Sequence, residues 1–135
     1  MQLARLGFAA LAWLYVALVA FQFFLAGAGV FGATDFELHV EVGYLAAFFG
    51  PIILLAVAMV ARGRRLIGLT GLLLLLGFVQ SILPWLRADA PYLAALHPVN
   101  ALLIAWLALT IARESTALAR QSQRDAATAT APQAS

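Results

Sequence analysis

Residues 6–31 of the chain read LGFAALAWLYVALVAFQFFLAGAGVF, and no charged side chain interrupts them. A helix needs about 20 apolar residues to cross the hydrocarbon core of a bilayer. The stretch is also much longer than the ~7–15 apolar residues at the centre of a signal peptide. It therefore predicts a membrane-spanning helix.

Three similar apolar stretches follow, at about residues 36–61, 66–86 and 91–112. The chain has 135 residues, of which 64% are hydrophobic and 10% charged, and a soluble domain of this size cannot bury so much apolar surface. Short polar connections favour antiparallel neighbours. We predict an all-α integral membrane up-down four-helix bundle over residues 1–120. The Ala, Thr, Ser and Gln of residues 121–135 predict a disordered cytoplasmic tail.

Local signals refine the helix ends. Thr34 to Glu37 reads as a capping box at the start of the second helix. Pro51, Pro84 and Pro98 each remove a backbone donor within or near a helix, and Gly50-Pro51 is the expected bend.

The arginines predict the orientation of the bundle. Seven of the eight basic residues, all of them arginine, lie before the first helix, between the second and third, or after the fourth: Arg5, Arg62, Arg64, Arg65, Arg113, Arg120 and Arg124. Of the basic residues, only Arg87 lies in one of the two remaining connections, between the first and second helices or between the third and fourth. Cytoplasmic loops carry the excess of basic residues in membrane proteins, so both termini should be cytoplasmic. This placement also accounts for the net charge of +2 without nucleic acid.

Two histidines are the strongest candidates for chemistry. The chain has no cysteine, which excludes disulfides and thiolate sites. His39 opens the second helix and His97 the fourth, so the two lie at similar depth on helices that run the same way. Those helices are diagonal in an up-down bundle, where side chains build cofactor sites.

Rows of small residues follow both histidines at helical spacing. Gly43 and Ala46 follow His39, and Ala101 follows His97. Such rows let membrane helices pack closely, and they also leave room for a flat ring. Two imidazoles can supply both axial ligands of a haem, whereas zinc needs about four ligands. We therefore predict a bis-histidine b-type haem, with His39 and His97 as its metal ligands.

Three further polar residues join the candidate cofactor site, and a fourth, Asn100, lies one turn after His97. Gln22 and Gln80 lie within the first and third helices, where they would hydrogen-bond between helices or contact a ligand or quinone. Arg87 is the natural partner of haem propionates, or else a loop residue paired with Asp89. Asn100 would orient a ligand or cap the fourth helix.

The order of these features resembles a family of small, uncharacterised four-helix bacterial membrane proteins. Helix 2 opens with Glu37-Leu38-His39, and helix 4 with Leu96-His97-Pro98-Val99-Asn100. More loosely, residues 6–112 resemble one four-helix half of haem A synthase. That resemblance implies that His39 and His97 form an axial pair. It does not imply synthase activity, because Val40 stands where that family typically has arginine and Phe36 where it has an acid.

The predicted function is electron transfer or support of a redox partner, with the lipid bilayer and a membrane partner or second copy as contacts. We do not expect the chain to be an enzyme on its own. The alternative is a cofactor-free accessory or assembly protein. A small-solute transporter is less favoured, because the sequence shows no inverted repeat.

The arginine asymmetry gives a topology test. Reporter fusions at Ser135 and within residues 32–35 should report opposite sides of the membrane, with Ser135 cytoplasmic. A periplasmic signal from the Ser135 fusion would reverse the predicted orientation.

Overall fold

The computed structural model describes residues 2–61 and 63–130, and these residues are almost entirely helical. Helix α1 spans Gln2–Val30, α2 spans Glu37–Ala61 and α3 spans Arg64–Arg87. Helix α4 spans Leu96–Thr130 and follows a short helical turn at Pro91–Ala94. The four corresponding segments are long and apolar enough to cross a membrane. The all-helical class and the four predicted helices are therefore confirmed.

Helix α4 continues well beyond the predicted end of its apolar stretch. Residues 121–130 are helical, so the prediction of a disordered tail is wrong for them, while residues 131–135 lie outside the described part. Alanine, glutamine and arginine are good helix formers, and adding turns to an existing helix needs no new nucleus. Arg5 Nη1 also donates a hydrogen bond to Ser122 Oγ, which ties this extension to the start of α1.

The helices pack in a ring in chain order. Neighbours in sequence contact each other, and α1 packs extensively along α4, which leaves α2 and α4 diagonal. The core consists of apolar side chains from all four helices, with Phe8, Leu54, Leu73, Leu107 and Ile111 almost fully buried. It fills the middle of the bundle and the end that carries Arg5.

The outward surface of the bundle is apolar. On α4, Trp106 is 66% exposed and lies beside exposed Leu102 and Leu103. Large apolar side chains are exposed on all four helices, among them Phe24, Ile52 and Leu75. Soluble monomers rarely expose apolar patches of this extent. Such a surface is typical of a multi-pass membrane protein.

The middle of α2 contains a π-helical turn at Leu45–Phe49, just before the predicted Gly50-Pro51 bend. The Gly50 N–H donates to the carbonyl of Leu45, five residues back, rather than to that of Ala46. The freed Ala46 carbonyl accepts a hydrogen bond from the Tyr15 hydroxyl of α1 at 3.0 Å. Proline therefore reshapes α2, and a neighbouring helix satisfies a freed carbonyl, as membrane helices require.

The other helix ends follow from capping and proline geometry. The predicted capping box at Thr34 is wrong, because the residue at the N-cap of α2 is Phe36, which makes no side-chain capping bond. Asp35 Oδ1 accepts the Glu37 N–H at 3.0 Å instead. Pro84 lies in a 3₁₀ turn, Leu83–Arg87, that ends α3. Pro98 lies in the first turn of α4, where no helical N–H is required.

Glycine lets α2 and α3 approach closely. A Cβ placed on Gly77 of α3 would lie 2.1 Å from the carbonyl oxygen of Ala47 in the π turn. No side chain can occupy that space, so this contact depends on glycine.

We expect Gly77→Ala to lower the free energy of unfolding by about 1–3 kcal/mol, because the backbones of α2 and α3 must separate. Gly71→Ala on the same helix is the matched control, since its added Cβ meets nothing within 4 Å. Unfolding in detergent, followed by circular dichroism, measures both. Equal effects of the two substitutions would contradict the close contact.

Candidate functional site

A cluster of polar side chains occupies the end of the bundle opposite Arg5. Its members come from all four helices, and we call them the polar cluster: Gln22, His39, Gln80, His97 and Asn100. Asn100 is buried, and the other four are half-buried. The sequence analysis singled out each of these residues, and the structure brings them together.

The two histidines converge across the bundle diagonal. Their ring centroids are 6.4 Å apart, and their planes are inclined at 78°. His39 also makes an edge contact with Phe36, whose ring centroid is 6.2 Å away. The matched depth predicted from helix direction is therefore observed, and both imidazoles point towards the bundle interior.

Hydrogen bonds determine the tautomer of His97. Its Nδ1 lies 3.1 Å from the backbone carbonyl of Gln80, which can only accept, so Nδ1 carries the proton. In the neutral ring Nε2 then accepts from the Gln80 side-chain amide at 3.2 Å. A metal-binding histidine commonly donates its second ring N–H to a backbone carbonyl in this way.

Asn100 extends this network to α3. Its Nδ2 donates to Gln80 Oε1 at 2.7 Å and to the carbonyl of Leu76 at 2.9 Å. The Asn100 side chain therefore forms hydrogen bonds between α4 and α3 and does not cap α4. It holds the Gln80 amide with its nitrogen towards His97.

Gln22 holds His39 on the other side of the cluster. One orientation of the Gln22 amide gives hydrogen bonds to all of its neighbours. In this orientation the oxygen accepts from the Gly43 N–H at 3.0 Å, and the nitrogen donates to His39 Nδ1 at 2.9 Å and to the His39 carbonyl at 3.1 Å. His39 Nδ1 is then an acceptor, so in the neutral ring the proton lies on Nε2. The two histidines thus have opposite tautomers.

The row of small residues below His39 packs against α1. Gly43 contacts Gln22, the Ala46 carbonyl accepts from Tyr15, and a Cβ on Gly50 would lie 2.5 Å from the Tyr15 ring. The interpretation of this row as room for a flat ring is therefore corrected, because α1 side chains fill the space. Ala101 of α4 is half-buried, one turn beyond His97.

Arg87 lies apart from these contacts. It is exposed at the end of α3 and makes no ion pair among the described residues, with Asp89 or any other carboxylate. The polar cluster itself carries no acidic side chain. Within the described residues, no group of three or more His, Cys, Asp or Glu side chains is arranged so that it could hold a metal ion.

Sequence reasoning missed Tyr15 as a hydrogen-bond donor and Gly77 as a contact point. A tyrosine in an apolar helix was a usable signal, since buried hydroxyls need partners. The identity of its acceptor was not readable, because the π turn that frees the Ala46 carbonyl is a tertiary feature.

Comparison with known proteins finds one family model that matches part of the chain. Residues 22–87 match the model of a family described as "Family of unknown function (DUF6220)". The match begins at Gln22, includes His39 and Gln80, and ends at Arg87, before His97. With four apolar helices, it fits the small four-helix protein that the sequence resembled. No curated protein and no solved structure matches the chain. The looser resemblance to half of haem A synthase stays a prediction.

The hydrogen bond between Gln80 and Asn100 should be measurable as a coupling energy. In a double-mutant cycle of Gln80→Ala and Asn100→Ala, we expect a coupling of about 0.6–1.7 kcal/mol, the range found between membrane helices. Tyr15→Phe with Asn100→Ala is the control cycle and should give a coupling near zero, because these residues share no partner. Unfolding in detergent measures both, and equal couplings would exclude a specific contact.

Proposed function

We propose that this chain is a multi-pass protein of a bacterial inner membrane, with both termini cytoplasmic, that holds one b-type haem between His39 and His97. Its role would be electron transfer or support of a redox partner. The convergence of the two imidazoles is the observation that carries this proposal. The seven-to-one arginine asymmetry supports the orientation, which places the polar cluster near the outer face.

The spacing of the histidines suits one shared metal. An imidazole nitrogen binds a transition metal at about 2 Å, so two rings on opposite sides of one metal have centres roughly 6 Å apart. The observed separation is 6.4 Å. His97 already has the tautomer of a ligand that binds through Nε2, with its Nδ1–H held by the Gln80 carbonyl.

Binding would require two side-chain amides to rearrange, and the α1 side chains that fill the space below His39 to move aside for the ring. The Gln80 amide would leave His97 Nε2. The His39 proton would move from Nε2 to Nδ1, and the Gln22 amide would turn so that its oxygen accepts a hydrogen bond from His39 Nδ1–H, which leaves Nε2 to bind the metal. Gln22 and Gln80 would then orient the ligands instead of occupying their nitrogens. Arg87, exposed and without an ion pair among the described residues, would be free to approach an acidic propionate.

A bound haem would supply one-electron chemistry near one face of the bundle. The hydrocarbon core is about 30 Å thick, so one such group does not connect the two faces. A quinone, a partner subunit or a second copy of the chain would complete any transfer across the membrane.

A second candidate is a cofactor-free accessory or assembly protein. The hydrogen bonding of the polar cluster favours this candidate. All five members have hydrogen-bond partners within the chain: Gln22, His39, Gln80, His97 and Asn100. Such bonds alone can hold membrane helices together. The two candidates differ in whether the purified protein is coloured.

We expect protein from haem-replete cells to show a low-spin haem spectrum, and His39→Ala or His97→Ala to abolish it without preventing membrane insertion. The chain has no third histidine and no cysteine to replace a lost axial ligand. Arg87→Ala should weaken binding only, because water can solvate a propionate at the surface.

Glu41→Gln is the matched control. Glu41 is exposed on α2 and lies outside the polar cluster, so its substitution should leave the spectrum unchanged. A colourless wild type supplied with haem would reject the haem and leave the accessory role. Wild-type haem spectra from both histidine variants would reject His39 and His97 as the ligands.

A further inference from the structure

A second polar feature lies at the opposite end of the bundle from the polar cluster. An open cleft of about 460 Å³ separates the start of α3 from α4. Its lining combines apolar and charged side chains from these two elements: Gly63, Arg64, Arg65, Leu66, Glu114, Ala117, Leu118 and Gln121. The electron-transfer proposal does not use this cleft.

One arginine of the cleft is held in place. Arg65 Nε lies 2.8 and 3.0 Å from the two carboxylate oxygens of Glu114 on α4. Only Nε takes part in this ion pair, so the two Nη groups of Arg65 remain for another acceptor. Planar guanidinium groups suit the oxygens of a phosphate.

The second arginine has no carboxylate partner. Arg64 is exposed, lines the same cleft and forms no ion pair within residues 2–61 and 63–130. Two arginines against one carboxylate leave the cleft with net positive charge. No side chain caps the first turn of α3, whose N–H groups add to the attraction for an anion.

The apolar part of the lining indicates which anion fits. Leu66, Ala117 and Leu118 lie beside the arginines, and the apolar span of α3 begins at this point. In a membrane, the ends of apolar spans lie at the level of lipid headgroups, where basic pockets between helices bind anionic lipids. A free phosphate would leave the apolar part of the cleft exposed, whereas a phospholipid would cover it.

We propose that this cleft binds the phosphate of an anionic phospholipid in the cytoplasmic leaflet. Arg64 and Arg65 contact the phosphate oxygens, and Ala117 and Leu118 contact the glycerol and the upper part of an acyl chain. The site rests on membrane insertion in the proposed orientation and is independent of haem. It would anchor the junction of α3 and α4 at the membrane surface.

The test is titration of the purified full-length chain in detergent with phosphatidylglycerol, with phosphatidylcholine as the neutral lipid, and bound lipid counted by native mass spectrometry. We expect phosphatidylglycerol to bind more tightly. Arg64→Gln and Arg65→Gln should each weaken it roughly fivefold, as expected for one basic group near a lipid surface.

Two further variants test whether the lipid binds at this cleft or is attracted by the overall charge of the protein. Arg124→Gln removes the same charge from an exposed position on α4 outside the cleft, and should change binding less than twofold. Glu114→Gln removes the opposing charge and should tighten binding, whereas mere damage to the fold would weaken it. Equal losses in the Arg124 and Arg64 variants would overturn the site.

Inorganic phosphate distinguishes a lipid from a soluble anion. The lipid assignment predicts that millimolar inorganic phosphate displaces phosphatidylglycerol only weakly, because it gains no apolar contact. Displacement by inorganic phosphate as effective as that by a short-chain phosphatidylglycerol would overturn the lipid assignment.

Discussion

A polar group inside an apolar bundle must find its partner within the chain, and this constraint organises the whole structure. Pro51 cannot donate to the preceding turn, so α2 adopts a π turn that frees the Ala46 carbonyl for the Tyr15 hydroxyl. That bond sets how α1 lies against α2. Gln22 is seven residues after Tyr15, and His39 is seven residues before Ala46. Because the helices are antiparallel, both pairs meet on one face, two turns apart.

Polar contacts fix the α3–α4 pair in the same way. Gln80 meets His97 at one end, and Arg65 meets Glu114 at the other. The apolar side chains between them interdigitate at the density of a protein interior. The directional bonds add to the alignment that this packing sets, the Gln80–His97 contact more than the Arg65–Glu114 pair, whose arginine side chain is 76% exposed. Thr70 and Ser115 do not contribute, because their hydroxyls bond to carbonyls of their own helices.

The same bonds set the conditions for ligand binding at the polar cluster. Asn100 orients Gln80, and Gln80 occupies His97 Nε2, while Gln22 occupies His39 Nδ1. Any group that enters between the imidazoles must replace these hydrogen bonds with interactions of at least equal strength. Coordination to a metal can do so, whereas a neutral solute offers little more than the amides already provide. At the other end, the exposed Arg64 has no carboxylate to displace among the described residues, so its cleft is the more accessible of the two.

The sequence by itself determined the four helices, their alternating direction and the equal depth of His39 and His97, because these follow from apolar length, short connections and helix direction. It also marked Gln22 and Gln80 as polar groups inside the bundle. It did not determine where Asn100, Tyr15 or the small residues beside His39 point. Nor did it show that α4 would continue through residues 121–130 beside the start of α1. Which polar group meets which, and whether a row of small residues admits a ligand or a neighbouring helix, depends on the rotation and register of each helix. Those are chosen only when all four pack, because a hydrogen bond inside the bundle forms only where donor and acceptor meet in three dimensions.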